Sequence, residues 1–577
     1  MNHPGKMRLC AALVMLLFGG PIVCAQSDEK AAEASAKGTI TGRVVNESGQ
    51  PLANAVVNIR GYSGSGGRTV NTDAEGNFQA ADLPSIAYLI SAFMPGYVPR
   101  PRDPDLNPIG YYRIGDSARI EMVKGGVITG AVKRSNGDPV VLVTVRAFMT
   151  RDFKGQPVRY ATPSRTPTTD DRGVYRIYGL QPGTYVVSAS GGTVSSYSLD
   201  PFAGDAPTYA PSGTRDTAAE ITVNAGEEAT ADIRYRDEPG HVVSGTAAGA
   251  LADDPQRGFS IALNSRFNGM EQAVYSTWGV RNFMFSGVAD GDYDLVAENY
   301  SPDVGWAISE TRRIKVSGGD ITGIAVTLKP LAVMSGTVVL EDSKVAECQG
   351  KRRPVFGEIV VGAYHNEKTA AKDQPQFIWS LGGPLTPDKQ GNFTLRNLAA
   401  GQYRFVTRPL AKYWYLKSIS WPVTAAKAAQ VNQPADAARN WTTIKTGDKY
   451  SGLTITFAAG AASIHGRVEP EQGGRLSPRV FVYLTPAEPE KREDILRYFA
   501  SLAAEDGTFE LGSIPPGRYW VNARAAAEGD TNMQSKIRLP DETELRTRIL
   551  HDGEAGKNQT ELKPCQNLTE YRLPFRE

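Results

Sequence analysis

Hydrolytic metal chemistry needs imidazole and carboxylate ligands converging on one open site, so the histidines are the first residues to test. Past residue 25 the chain holds four of them, His241, His365, His465 and His551, each in a different region. None stands in His-Glu-x-x-His spacing, and only His551 with Glu554 has His-x-x-Glu spacing. That pair sits in a polar stretch with no later histidine to complete a site, so each histidine reads as a lone strand or loop residue. Residues 61–67, Gly-Tyr-Ser-Gly-Ser-Gly-Gly, are rich in serine but lack the Gly-x-Ser-x-Gly spacing and the strand-to-helix setting of a nucleophile elbow. They read as a loop. No glycine-rich phosphate loop occurs. The expectation is a protein that is not an enzyme and carries no cofactor and no metal.

Binding chemistry has one stronger candidate. Sugars are held by flat aromatic surfaces with polar groups around them, and the aromatics are densest at Phe377, Trp379, Tyr413, Trp414, Tyr415, Trp421 and Trp441. Trp379, Tyr413, Trp414, Trp421 and Trp441 are the candidate ligand platform. The competing reading is core packing, because Tyr413-Trp414-Tyr415-Leu416 also has the form of a strand whose alternate residues face inward.

The elements that would carry such a platform are strands. With 577 residues the chain is long enough for roughly four to six domains of about 100–150 residues. Its 59 glycines and 37 prolines punctuate short runs such as Val56-Val57-Asn58-Ile59 and Val480-Phe481-Val482-Tyr483-Leu484, the form expected of β-strands. Helical periodicity is confined to Glu490 to Ala504 and Thr424 to Arg439.

Internal repetition is the clearest feature. A strand-opening phrase recurs as Ile40-Thr41-Gly42, Ile128-Thr129-Gly130, Val243-Ser244-Gly245, Met334-Ser335-Gly336 and Ile464-His465-Gly466. Later in each unit comes Asp-x-x-Gly-x-aromatic, at Asp73 to Phe78, Asp170 to Tyr175 and Asp388 to Phe393, shortened at Asp506-Gly507-Thr508-Phe509 and worn to Arg281-Asn282-Phe283 in the third unit. A turn ending in Gly-x-Tyr follows, at Gly183-x-Tyr185, Gly291-x-Tyr293, Gly401-x-Tyr403 and Gly517-x-Tyr519, while Ile86 stands in the glycine's place before Tyr88. The Asp side chain suits a turn, because its carboxylate accepts from backbone two residues on, and Gly takes the conformation closed to other residues. A β-turn is preferred to a calcium loop, since no unit has the ligand series ending in Glu.

These phrases, with Gly49-Gln50-Pro51-Leu52-Ala53-Asn54-Ala55-Val56-Val57 and Thr72-Asp73-Ala74-Glu75-Gly76-Asn77-Phe78, resemble the carboxypeptidase regulatory-like domain, a transthyretin-like (prealbumin-like) β-sandwich with starch-binding-like relatives. The resemblance implies an all-β chain, a tandem array of about five transthyretin-like modules after a cleaved signal peptide. The expected divisions are 1–25 for the signal peptide, 38–124 for module 1, 125–238 for module 2, 239–330 for a degenerate module 3, 331–459 for module 4 with insertions, and 460–577 for module 5 with a C-terminal extension. The family name records a module noticed beside a peptidase and confers no peptidase activity; a regulatory partner of a separate peptidase is a minor reading.

Export rests on Lys6 and Arg8, the short apolar stretch from Leu9 to Phe18 and the small residues of Val23-Cys24-Ala25, with cleavage after Ala25. Val23 stands where a lipid-attachment motif at Cys24 wants a small residue, so a lipoprotein is the lesser reading. No later segment has membrane-spanning length. Removing the leader leaves 61 basic against 62 acidic residues, which speaks against a nucleic-acid partner. Cys348 and Cys565 are the two remaining cysteines; they read as two separate buried thiols, with a disulfide as the alternative in an oxidising compartment. The function expected is a periplasmic or extracellular binding array at the cell envelope, its partner a polysaccharide or a cell-envelope protein. The alternative is a structural spacer with modules joined end to end.

Overall fold

A computed structural model describes residues 37–577 except 63–65, 102–109, 159–165, 191–200, 250–258, 268–269, 279–280, 302–304, 367, 369–384, 410, 422–435, 471–475, 528–529 and 576–577. The expected leader and its cleavage site lie outside the described residues. Almost all regular structure is β-strand, and the α-helices are Met533–Lys536 and Thr543–Gly556.

Buried side chains gather into five successive cores, within residues 40–122, 128–235, 243–328, 332–457 and 462–575. One arrangement recurs around each. The opening strands are Lys37–Asn46, Gly126–Lys133, His241–Gly249, Ala332–Glu341 and Ala462–Pro470. Each runs antiparallel to the strand that follows the Asp turn, respectively Asn77–Pro84, Val174–Leu180, Asn282–Val288, Asn392–Leu398 and Thr508–Ile514. Each also runs parallel to the closing strand of its unit, for example Ser117–Lys124 in module 1 and Lys449–Ala459 in module 4. Parallel neighbours need a long crossover, and the strands of the facing sheet occupy it. Module 3 differs in that Gly305–Ser309 pairs with both Gly291–Ser301 and Ile321–Pro330, so its two layers merge into one eight-stranded sheet.

The repeated residues have one structural job apiece. In every module the glycine of the opening phrase sits opposite the aromatic after the turn: Gly42 with Phe78, Gly130 with Tyr175, Gly245 with Phe283, Gly336 with Phe393 and Gly466 with Phe509. The ring lies against the bare glycine, and a backbone carbonyl near or on the closing strand presses from the other side. A Cβ on Gly336 would stand 2.4 Å from Phe393 Cζ and 2.4 Å from the Leu453 carbonyl oxygen. The turn glycine is held twice over: Gly391 has φ +88°, and a Cβ there would stand 2.7 Å from the Val338 carbonyl oxygen. Its own carbonyl accepts from Val338 N–H at 2.8 Å, as Gly76, Gly173 and Gly507 accept from Val44, Val132 and Val468. Module 3, whose Asp and Gly are gone, keeps this bond through Arg281 and Ala247 at 2.8 Å.

The last tyrosine is equally regular. Tyr88, Tyr185, Tyr293 and Tyr519 each donate through the hydroxyl to the carbonyl four residues upstream, at 2.7–2.8 Å, and Tyr403 bonds Ala399 in the same way. The ring fills the core while its polar tip ties down the turn, the logic of a tyrosine corner. Ile86 in the glycine's place therefore costs module 1 nothing at this bond.

The turn carboxylates accept short backbone bonds, with Asp388 Oδ1 receiving Asn392 N–H at 2.8 Å and Gln390 N–H at 2.9 Å. Backbone bonding of this kind holds the Asp388 and Asp170 carboxyls below the ordinary value of 3.8. A depressed folded-state pKa gives stability that is present above the unfolded value and lost as pH falls through the folded one. Asp388→Asn is therefore expected to flatten the loss of stability between about pH 4 and the folded pKa of Asp388, read as midpoint against pH in denaturant titrations. Parallel pH profiles for variant and wild type would refute it.

One of the two helical expectations is corrected. Glu490 to Ala504 forms the 3-10 turns Pro489–Lys491 and Ile495–Arg497 and then the strand Phe499–Leu502, not an α-helix, because Ala500 and Leu502 pair into the sheet with Tyr483 and Phe481. Thr424 to Arg439 falls mostly outside the described residues. The helix Thr543–Gly556 is one that periodicity did not show, since its buried face offers only Leu545, Ile549 and Gly553 beside the aliphatic part of Arg546.

Candidate functional site

The modules are not laid end to end. Ser286 of module 3 bonds the Ala203 carbonyl of module 2 at 3.0 Å, and Trp306 N–H of module 3 bonds Asn397 of module 4 at 3.2 Å. Module 1 then meets module 4: Ala87 N–H donates to the Gly357 carbonyl at 2.8 Å, and Arg352 donates to the Ile114 carbonyl at 3.3 Å. Contacts among modules 1 to 4 thus close into a loop, so the modules are not joined end to end.

The closing piece is the segment between Glu341 and Ile359. It is 17 residues long, where modules 1, 2, 3 and 5 use nine or ten between their corresponding strands. Arg352 anchors it through an ion pair with the fully buried Glu358. A second anchor is covalent: Cys348 forms a disulfide with Cys565, 217 residues away, with Cα atoms 5.4 Å apart. This corrects the expectation of two separate thiols. Both cysteines are buried, but each lies inside a connection between strands, Cys348 in 342–358 and Cys565 in 563–566, and the meeting of modules 4 and 5 brings those connections together. Ion pairs of Lys368 with Asp541 (2.8 Å) and Glu542 (3.1 Å) and of Arg439 with Glu493 add to the same seam.

The aromatic candidates are split by this architecture. Trp414 and Trp421 are 3% and 5% exposed and belong to the module 4 core, with Trp421 packed edge-on against Phe405. A buried indole presents no face to a sugar, so these two do not form a surface platform. Tyr413 and Trp441 are half-buried. Tyr413 has φ +71°, its carbonyl accepts the Gly460 and Ala461 N–H groups, and the Lys351 ammonium lies 4.7 Å from its ring centre. Trp379 lies outside the described residues.

The histidines stay apart. His241 meets Asp290 at 3.2 Å, His465 meets Glu510 at 3.6 Å, and His365 packs edge-on against Tyr403. His551 is exposed on the helix Thr543–Gly556, and Glu554 is paired with Arg492. Among the described residues no three His, Cys, Asp or Glu side chains gather as metal ligands.

Among the described residues, concavities include the following three. One of about 950 Å³ lies on the outer face of module 5 beside His465, Arg467 and Arg572, and one of about 600 Å³ lies between modules 2 and 3. The third, about 450 Å³, sits where modules 1, 4 and 5 meet and is lined among others by Asp116, Leu416, Phe499 and Arg538. Sequence spacing gave no sign of it, because its walls come from three modules; the extra length of the segment after Glu341 was the one available signal.

Residues 39–113 match the family model of the carboxypeptidase regulatory-like domain. The match falls within module 1. The other four modules repeat the regulatory-like pairing of opening glycine and turn aromatic described above. No curated protein matches the chain. Among solved structures it is similar to the Bacillus anthracis TIE protein, at 15% identity over 51% of each chain with a TM-score of 0.14; it therefore spans about half of that protein's length. It is also similar to GBS52, the minor pilin of Streptococcus agalactiae, at 14% identity over 34% of this chain and 96% of that one, TM-score 0.19. The shaft pilin SpaA of Lactobacillus rhamnosus GG shares 11% identity over 35% of this chain and 98% of that one, TM-score 0.17.

Proposed function

We propose that the chain is an exported, non-catalytic scaffold in which five β-sandwich modules, divided as 38–124, 125–238, 239–330, 331–459 and 460–577, are locked into one compact particle at the cell envelope. The observation that carries this reading is the segment 342–358, which touches module 1 through Gly357 and Arg352 and is bonded to module 5 through Cys348. The residues repeated in every module serve turns and cores, so they describe a frame. A disulfide belongs to an oxidising compartment, in keeping with export to the periplasm or the cell exterior.

Small-angle scattering of the oxidised protein lacking residues 1–25 tests the particle. The expected radius of gyration is near the ~24 Å of a globule of this length. Five modules of ~35 Å laid end to end would give ~50 Å, and a value near that would defeat the proposal. Intact mass of protein exported by its own leader should correspond to cleavage after Ala25 with two hydrogens lost to the disulfide.

The partner of such a scaffold is a cell-envelope protein in the first reading. A polysaccharide is the second, and it now rests on the half-buried Tyr413 and Trp441.

A further inference from the structure

Glu298 stands where a carboxylate is poorly served. It lies on the strand Gly291–Ser301 of module 3, where Tyr293, Leu295 and Ala297 face that module's core and Glu298 faces the other way. It is nevertheless only 4% exposed. Val296 precedes it by two residues on the same face, and Ile308 lies directly opposite on Gly305–Ser309. Those two side chains are buried with Leu331, against Trp306 and Ala399, in a cluster that joins module 3 to module 4. Two backbone groups of Trp306 complete this seam. Its carbonyl accepts from Leu331 N–H at 3.0 Å, and its N–H donates to Asn397 Oδ1 at 3.2 Å.

Little around the acid supports a charge. The Ser260 hydroxyl bonds it from the neighbouring strand, while Oε2 is buried with no hydrogen-bond partner among the described residues. On its own strand Asp294 lies four residues away beside Arg313, at 3.8 Å, and Tyr300 is half exposed with its ring against Trp306. Ser260 and Ala262 on one side and Trp306 and Ile308 on the other carry no charge. Beyond Ile308, Lys329 is paired with Glu310 at 2.8 Å. On module 4, Asn397 is neutral and Arg396 is exposed. Burial pushes the Glu298 carboxyl from 4.5 up to about 7, opposed by the Ser260 hydroxyl. The next residue, Asn299, faces the module 3 core at 1% exposure, and neither of its amide atoms has a partner among the described residues. Unsatisfied polar groups lower the cost of opening this corner.

We propose that Glu298 is a proton-operated catch on the seam between modules 3 and 4, closed when the side chain is neutral and loosened when it is ionised. A neutral carboxyl leaves the apolar cluster intact. A carboxylate in the same place needs water or a cation, and water reaches it when Gly305–Ser309 parts from Leu331 and Ala399. An acid raised above its unfolded value contributes stability that is present below about pH 4.5 and lost as pH rises through about 7. The turn carboxylates Asp170 and Asp388 respond in the opposite sense and at lower pH, so the two effects separate.

Hydrogen exchange of the oxidised protein lacking residues 1–25 tests this, read by mass spectrometry at about pH 5 and about pH 8 and normalised to the intrinsic rate at each. The Trp306 and Leu331 amides, which bond across the seam, are expected to exchange roughly tenfold faster or more at the higher pH. Glu298→Gln, which keeps the size of the side chain and an acceptor for Ser260, should hold the slow exchange at both pH values. Glu310→Gln, which removes an exposed carboxylate beside the same strand, should respond like wild type. A flat wild-type profile, which needs no variant, would overturn the proposal. So would a wild-type response in Glu298→Gln, or a rise spread evenly over all five modules. Exchange reads this one seam, so its outcome is independent of the scattering test of the compact particle.

Discussion

Replacing Cys348 and Cys565 together by serine is expected to uncouple module 5 and produce a new, earlier unfolding transition. In the chain-entropy account, a cross-link closing 217 residues restricts the unfolded chain by up to about 5 kcal/mol. Much of that span folds in its own right, so about 2–4 kcal/mol, the common range for a native disulfide, is the expected loss. What then holds module 5 is the packing of Trp414–Ser420 against Thr508–Ile514 and Ile495–Arg497, the Tyr413 carbonyl's bonds from Gly460 and Ala461 N–H, and surface ion pairs that salt weakens. Differential scanning calorimetry with and without a dithiol reductant makes the test internal. Reductant should reproduce the early transition in wild type and leave the serine variant unchanged. Coincident scans of wild type with and without reductant would show that the bond contributes nothing.

Gly336→Ala is expected to cost about 3 kcal/mol or more, at or beyond the upper end of what overpacking costs. No unusual backbone angle is involved, so space alone decides. The new methyl would meet the Phe393 ring and the Leu453 carbonyl, each at 2.4 Å, from opposite sides. The ring is 4% exposed and has nowhere to turn, and the carbonyl belongs to a strand paired along its length. Trimming the ring with Phe393→Leu in the alanine background should therefore recover little, because the backbone clash stays. Gly556→Ala is the control, as nothing lies within 4 Å of its Cβ position, and it should change stability by less than about 1 kcal/mol. Chemical denaturation of the three variants reads these differences; a loss below about 1 kcal/mol in Gly336→Ala would mean that the opening and closing strands can separate at that point.

The repeating unit was legible in the residues alone. Asp, Gly and aromatic at set offsets specify a turn and a first inward residue, and two-residue alternation then assigns the rest of the strand. These are short-range rules, so they survive in a single sequence and even in module 3, where Phe283 still faces Gly245. They also assign the most repeated residues to turns and cores. The closed loop of modules, the Cys348–Cys565 bond and the burial of Trp414 and Trp421 come from tertiary structure. Each joins segments with no common periodicity, such as Ile114 with Arg352 across 238 residues. Interfaces of this kind are made once, from residues that recur nowhere else in the chain. Nothing local distinguishes a tryptophan that faces solvent from one covered by a second sheet; only the packing of the sheets against one another decides which it is.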